Sequence, residues 1–108
     1  MKNDIVINFL NKYNSFTKVI ATANKKKFDS IDSIYTVNSA IKSLIEIIEQ
    51  NRIDEIDLDI INNLIHFAEE YLKIIKISSY KEKITSELKN NLQKVRILLE
   101  KREKSLQR

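Results

Sequence analysis

Apolar residues recur along this chain at spacings of three and four, the pattern of helices with one buried face. The first such stretch predicts a helix from about Asp4 to Asn24, in which the side chain of Asn3 or Asp4 accepts from a free backbone N–H. The apolar face of this helix consists of Val6, Phe9, Tyr13, Phe16 and Ile20.

The second stretch predicts a helix from about Ser30 to Gln50, with Asp29 or Ser30 as its N-cap. Its apolar face consists of Ile34, Val37, Ile41, Leu44 and Ile48. The pattern assigns the opposite, outward face to Tyr35, Asn38, Lys42, Glu46 and Glu49. Asn51 and Arg52 mark the break after this helix.

The third stretch, Ile56 to Ile77, has the widest apolar face, which covers about 200° of a helical wheel. A helix that lies against one neighbour needs about half of that. We therefore expect this helix to contact at least two others and the rest of the fold to pack around it, with Asp54 or Asp57 as its N-cap. The wide face contains Leu58, Ile60, Ile61, Leu64, Ile65, Phe67, Ala68, Tyr71, Leu72, Ile74 and Ile75.

A fourth helix is predicted from Ser79, where Ser79 and Glu82 match a capping box, to about Leu106. Its narrow stripe indicates contact with the bundle on one side, through Tyr80, Ile84, Leu88, Leu92, Val95, Leu98 and Leu99. Residues 101–108 are a candidate frayed tail. The sequence predicts an all-α fold in one domain, residues 1–108: a small antiparallel bundle of four helices, or of three if the last two form one bent helix.

The composition excludes several classes of chemistry. The 108 residues include no Gly, Pro or Cys. Without Gly the chain cannot form a glycine-rich phosphate loop, and without Cys it has neither disulfides nor thiolate sites. No apolar run is long enough to span a membrane, and the N-terminus lacks the features of a signal peptide. We expect a cytoplasmic protein that does not bind membranes.

The net charge of +4 is distributed in three blocks. Residues 1–28 carry a charge of +5, residues 29–70 carry −8 and residues 71–108 carry +7. Such blocks either pair with one another inside the fold or form one-signed surfaces that steer a partner. Both interpretations remain open at this point.

Three charged clusters are the candidate binding residues. The acidic corner, at the junction of the second and third helices, consists of Glu46, Glu49, Asp54, Glu55, Asp57 and Asp59. The basic seam, on the fourth helix opposite its apolar stripe, consists of Lys83, Lys94, Lys101, Lys104 and Arg108. The lysine cluster, after the first helix, consists of Lys25, Lys26 and Lys27.

No arrangement of residues predicts catalysis. The one histidine, His66, lies near Glu69 and Glu70 on the polar face of the third helix. One His without Cys cannot supply the several nitrogen or sulfur ligands of a zinc site. A carboxylate pair for acid–base chemistry needs a cleft that raises one pKa, and these carboxylates are predicted on a convex face. We expect a protein that is not an enzyme and has no metal or cofactor.

Binding to another protein is the first functional hypothesis. Small helical proteins of this kind include bacteriocin-immunity factors, antitoxins and phage inhibitors of host defence such as anti-CRISPR proteins. The acidic corner could occupy the basic groove of a nucleic-acid-binding protein. One alternative is nucleic-acid binding through the basic seam and the lysine cluster. Another is self-association, including a homodimer, through apolar residues outside the predicted core, namely Ile7, Val19, Tyr35, Ile77 and Ile97.

Overall fold

Four α-helices make up most of the protein. The computed structural model describes residues 4–21, 30–75 and 79–106, and these ranges contain no strand. The helices are α1 (Ile5–Ala21), α2 (Ile31–Glu49), α3 (Leu58–Ile74) and α4 (Glu82–Leu106). Two short 3-10 turns accompany them, Ile53–Glu55 before α3 and Ser79–Lys81 leading into α4. The predicted all-α fold with four helices is confirmed.

Local hydrogen bonds explain where several of the helices begin and end. Oδ1 of Asp4 accepts from the backbone N–H of Val6 at the start of α1, and Oγ of Ser30 accepts from that of Ser33 at the start of α2. Asn51, after α2, has a positive φ of 57°, which Asn tolerates better than most residues. The predicted end of the first helix, at Asn24, lies outside the described residues.

The third and fourth helices are separate. At Ile75 the backbone becomes extended, with ψ of 143°, so α3 stops there instead of bending into α4. At its other end α3 begins at Leu58, directly after Asp57, which is one of its two predicted N-caps. Before it, Ile53–Glu55 forms a 3-10 turn and Ile56 is extended. Asp57 occupies the N-cap position as expected, but its side chain makes no capping hydrogen bond.

The most deeply embedded helix is α2, and the prediction that α3 is the centre was wrong. α1 and α4 each pack closely along α2, while α3 contacts α1, α2 and α4 at wider spacing. The buried residues show the same difference, since α2 has nine and α3 has five. The expectation that α3 contacts at least two other helices is confirmed.

Three residues of the wide apolar face of α3 are exposed. Leu58, Phe67 and Ile74 have 68%, 40% and 51% of their surface accessible, whereas Ile61, Leu64, Ala68 and Tyr71 are buried. The arc that faces the core is therefore narrower than the sequence indicated. It leaves apolar side chains of α3 at the surface.

α2 and α4 pack parallel to each other. Asn38 of α2 donates to Oε2 of Glu87 at 2.6 Å, and Asn91 of α4 donates to Oδ1 of Asn38 at 2.9 Å. Further along, Arg102 donates to Oδ1 of Asn51 at 2.9 Å. The partners are 49, 53 and 51 residues apart, and a nearly constant separation is what parallel helices produce. Asn38 was predicted on the outward face of α2, but it is buried between the two helices.

The topology gathers four chain segments at one end of the bundle. They are the start of α1, the end of α2, the Ile53–Glu55 turn with the start of α3, and the end of α4. Arg52 contacts Asp4 at 3.3 Å, and Arg102 contacts Asp54 at 2.6 Å, so the segments are joined by ion pairs. None of the described helices is both long and apolar enough to cross a lipid bilayer.

Candidate functional site

Half of the carboxylates in the acidic corner are paired with basic side chains of the same chain. Three of its six carboxylates form ion pairs: Glu49 with Lys94 (3.2 Å), Asp54 with Arg102 (2.6 Å) and Glu55 with Arg52 (2.7 Å). The hydrogen bond from Arg52 lowers the pKa of Glu55, which keeps this carboxylate charged. Glu46, Asp57 and Asp59 are exposed and have no ion partner among residues 4–21, 30–75 and 79–104.

The basic seam is divided in the same way. Lys94 points towards α2 and pairs with Glu49, so it belongs to the α2–α4 boundary. Lys83, Lys101 and Lys104 are exposed and have no ion partner within the described part of the chain. Two predicted elements, the lysine cluster Lys25–Lys27 and Arg108, lie outside the described residues.

Arg102 also holds the acidic end of the bundle together, although it was not predicted as a binding residue. It donates to Oδ1 of Asn51 and Oδ1 of Asp54, and thus links α4 to the segment between α2 and α3. Only 23% of its side chain is accessible. The opposite charges of residues 29–70 and 71–108 predict that ion pairs form between these two blocks. They do not specify which residues form the pairs.

A groove opens beside these ion pairs, and we call it the Leu58 groove. Its volume is about 450 Å³. It lies between the 3-10 turn, the start of α3 and the end of α4, and it is lined by Ile53, Asp54, Ile56, Leu58, Ile61, Asn62, Leu99, Arg102 and Glu103. Ile53, Ile56 and Ile61 are almost fully buried, whereas Leu58 projects into solvent. The walls of the groove are therefore apolar and its rim is charged.

The Leu58 groove was not predicted, because the apolar pattern places Leu58 in the wide face of α3 that was expected to be buried. A usable signal was present, since Leu58 stands between two acids, Asp57 and Asp59, in the first turn of the helix. Acidic neighbours there are favoured by the helix dipole, and they also tend to keep that turn in solvent.

Other apolar side chains are exposed away from this groove. The expected exposure of Ile7, Tyr35 and Ile97 is confirmed, whereas Val19 is half-buried against the core. Ile77 lies outside the described residues. Isolated exposed apolar residues are normal on a protein surface and do not define a site by themselves.

Two of the residues considered for catalysis, His66 and Glu69, line a groove of about 380 Å³ between α3 and α4. His66 is exposed, and the centroid of its ring lies 5.1 Å from the centroid of the Phe67 ring. Arg96 of α4 binds Glu69 through two hydrogen bonds of 2.6 Å, which lower the pKa of Glu69. Glu70 pairs with Lys73 at 3.1 Å. Within the described ranges, no three His, Asp or Glu side chains are grouped so that they could hold a metal ion.

The strongest candidate site is therefore a binding surface at the acidic end of the bundle. This surface offers carboxylates to basic groups of a partner and an apolar groove to an apolar side chain. Both are found at the Leu58 groove. Comparison with models of protein families, with curated proteins and with solved structures gave no match.

Proposed function

We propose that this protein is a non-enzymatic binding module that inhibits or antagonises another protein by covering a basic surface of it. The observation that carries the proposal is Leu58, a large apolar side chain that is 68% exposed beside an apolar groove and between two exposed carboxylates. The helix dipole stabilises the two carboxylates, but a folded protein gains nothing in stability from the Leu58 side chain, because it remains in water.

Protein interfaces combine an apolar centre with a polar rim, which is the composition of this end of the bundle. Burial of Leu58 by a partner would contribute about 1.5–3 kcal/mol. The carboxylates of the rim would accelerate encounter with a positively charged partner and would disfavour acidic ones. Inhibition would then follow from steric or electrostatic occlusion of the partner, in the manner of an immunity, antitoxin-like or anti-CRISPR-like protein. The absence of Cys suits action in the reducing cytoplasm.

Nucleic-acid binding through the basic seam has weaker support. Lys94, at the middle of the seam, is engaged by Glu49, and Ile97 lies exposed between Lys94 and Lys101. The remaining lysines could contact phosphates, but no aromatic side chains alternate with them for base stacking.

A capture experiment with matched baits tests the proposal. The wild-type protein, Leu58→Ser and Ile97→Ser are immobilised and exposed to nuclease-treated extract of the source cell or its host. Ile97 is the control, because it is an exposed isoleucine of similar accessibility (53%) on the outer side of α4. We expect one protein that is retained by the wild type and by Ile97→Ser and is lost with Leu58→Ser.

Two results would contradict the proposal. One is retention of the same proteins by all three baits. The other is capture that occurs only from a parallel extract without nuclease treatment and is lost with Lys101→Glu, which would favour the nucleic-acid alternative. Measurement of the mass in solution, on the same three proteins, separates self-association from capture of a partner.

A further inference from the structure

The walls of the Leu58 groove come from three separate elements. The 3-10 turn contributes Ile53, α3 contributes Leu58 and Ile61, and α4 contributes Leu99. Ile53 and Ile61 are part of the core, so this wall is held in place by the packing of the bundle. A volume of about 450 Å³ falls within the range of roughly 300–1,000 Å³ typical of small-molecule sites, so it has room for one bulky side chain.

The rim of the groove has an excess of negative charge. Asp54, Glu103 and Arg102 line the groove, and Arg52, Glu55, Asp57 and Asp59 are sequence neighbours of its lining residues in the 3-10 turn and at the start of α3. These seven groups are five carboxylates and two guanidinium groups, an excess of three negative charges. On α4, Lys101 lines a different groove, between α2 and α4, and Lys104 lines neither of the two.

Both guanidinium groups already have partners. Arg52 is bound to Glu55 and Asp4, and Arg102 is bound to Asp54. Asp57, Asp59 and Glu103 have no ion partner in the part of the chain that the structure describes. The side chain of Asp57 is not used for capping either. Three carboxylates therefore remain for a ligand.

From this arrangement we infer that the Leu58 groove binds a cationic amphipathic helix of another protein, which inserts one bulky apolar side chain beside Leu58. This inference rests on the proposed function and specifies the partner. The inserted side chain contacts Leu58, Ile61 and Leu99, and lysines or arginines one turn away on either side face Asp57, Asp59 and Glu103. The described residues include no strand edge to which a β-strand could be added. No aromatic side chain lines the groove, as a polyproline segment would require, and both guanidinium groups are already paired, so an acidic motif finds no free Arg cluster. An apolar groove with a charged rim fits an amphipathic helix.

Charge decides between this occupant and the alternatives. A second copy of the chain that docked through the same surface would bring two rims of like charge together, which is destabilising. Nucleic acid is repelled for the same reason. An uncharged apolar segment would fill the groove but would leave the three carboxylates without partners.

The experiment is a titration of the isotope-labelled full-length protein with synthetic helical peptides, followed by NMR chemical shifts. The first peptide carries lysines and a single leucine on one face. The second has glutamate in place of each lysine, and the third has serine in place of the leucine. We expect the first peptide to shift the amides of Leu58, Ile61 and Leu99 and to bind at least tenfold more tightly than the other two. Its affinity should fall several-fold between about 0.1 and 1 M salt, as the screening length shortens from about 10 to 3 Å.

Two variants locate the contacts. Leu58→Ser should weaken the first peptide at least tenfold, and Asp57→Asn combined with Asp59→Asn should weaken it several-fold and reduce its salt dependence. Ile97→Ser should leave its affinity unchanged. All of these positions are exposed, so the variants are expected to fold, and the dispersion of their spectra verifies it.

The outcomes separate this inference from the proposed function. Equal binding of the lysine and glutamate peptides, shifts confined to other surfaces, or no binding by the lysine peptide would overturn the inference. In each of these cases, loss of the captured protein on Leu58→Ser would still support the proposed function. If capture is insensitive to Leu58→Ser as well, both fail. Concentration-dependent shifts at Leu58 without peptide would identify a second copy as the occupant and would overturn the inference.

Discussion

Asn38 on α2 and Glu87 on α4 are joined by a hydrogen bond of 2.6 Å, although 49 residues separate them in the chain. Asn38 is 3% exposed, and its amide oxygen accepts from Asn91 at 2.9 Å. A buried amide that is satisfied on both sides fixes one register between two helices, because any slip would leave it without partners. The pair thus aligns α4 along α2.

Removal of this amide should destabilise the fold. We expect Asn38→Ala to lower the free energy of unfolding by about 1–2 kcal/mol, since Asn91 loses its partner while Glu87 can turn to water. Urea denaturation measures the change. Asn90→Ala, an exposed asparagine on the outer side of α4, is the control and should change stability by less than about 0.5 kcal/mol. Equal effects of the two substitutions would show that Asn38 does not hold the register.

Two buried hydroxyl groups should be dispensable. Ser43 Oγ and Thr85 Oγ1 are buried and have no hydrogen-bond partner in the described structure. Replacement by an apolar group of the same shape removes an unsatisfied polar atom, so Ser43→Ala and Thr85→Val should leave stability unchanged or raise it by up to about 1 kcal/mol. Thr85→Ser keeps the hydroxyl and loses the methyl group, and should destabilise by roughly 1 kcal/mol. Thermal unfolding monitored by circular dichroism ranks the three variants by stability. If Thr85→Ser were more stable than Thr85→Val, the buried hydroxyl would contribute to stability and the prediction would be wrong.

Asn51 combines a backbone role with a side-chain role. Its positive φ disfavours most residues, and its Oδ1 accepts from Arg102 at 2.9 Å. Asn51→Ala should destabilise by about 1–2 kcal/mol, because both contributions are lost. Asn51→Gly should cost less, because Gly accepts this φ freely. In an Arg102→Leu background the donor to Asn51 is absent, so Asn51→Gly should become neutral or stabilising in a urea denaturation series.

The Glu69–Arg96 pair should make the free energy of unfolding depend on pH in the acidic range. Its hydrogen bonds lower the pKa of Glu69 in the folded state. The stabilisation is therefore fully present above the unfolded value of about 4.3 and is lost as the pH falls through the lower folded value. The pair is partly exposed, so its contribution is about 0.2–1 kcal/mol. Glu69→Gln should flatten part of the decline in stability below about pH 4, measured by urea denaturation at several pH values. Glu46→Gln, at an exposed carboxylate without an ion partner in the described structure, is the matched control substitution.

Periodicity predicted the four helices well, because each has an apolar stripe and the breaks at Asn51 and Ile75 lie close to where the pattern stops. It failed to identify the central helix. Asn38 and Ser43 are polar and were therefore assigned to solvent or ignored, yet both are buried on α2. A hydrophobic pattern counts apolar side chains, whereas close helix packing is also achieved with small and hydrogen-bonded polar ones.

The candidate site was predictable only in part. The acidic corner was found, but the Glu49–Lys94 ion pair joins two surfaces that the sequence treated as separate. Pairing of this kind depends on α2 and α4 lying side by side and parallel, which no local pattern encodes. Leu58 was missed for a related reason, since a helical wheel shows which residues share a face but not where the neighbouring helices end.

The parallel packing of α2 and α4 also has a kinetic consequence. α1 and α2 follow each other in the chain, so their contacts close early, whereas those of α4 with α2 require a loop of about fifty residues to close first. We therefore expect α4 to dock late on the folding route. Asn38→Ala should then accelerate unfolding more than it slows folding. The residue that fixes the register of the finished bundle would thus set how long the native state persists, and have little influence on how fast it is reached.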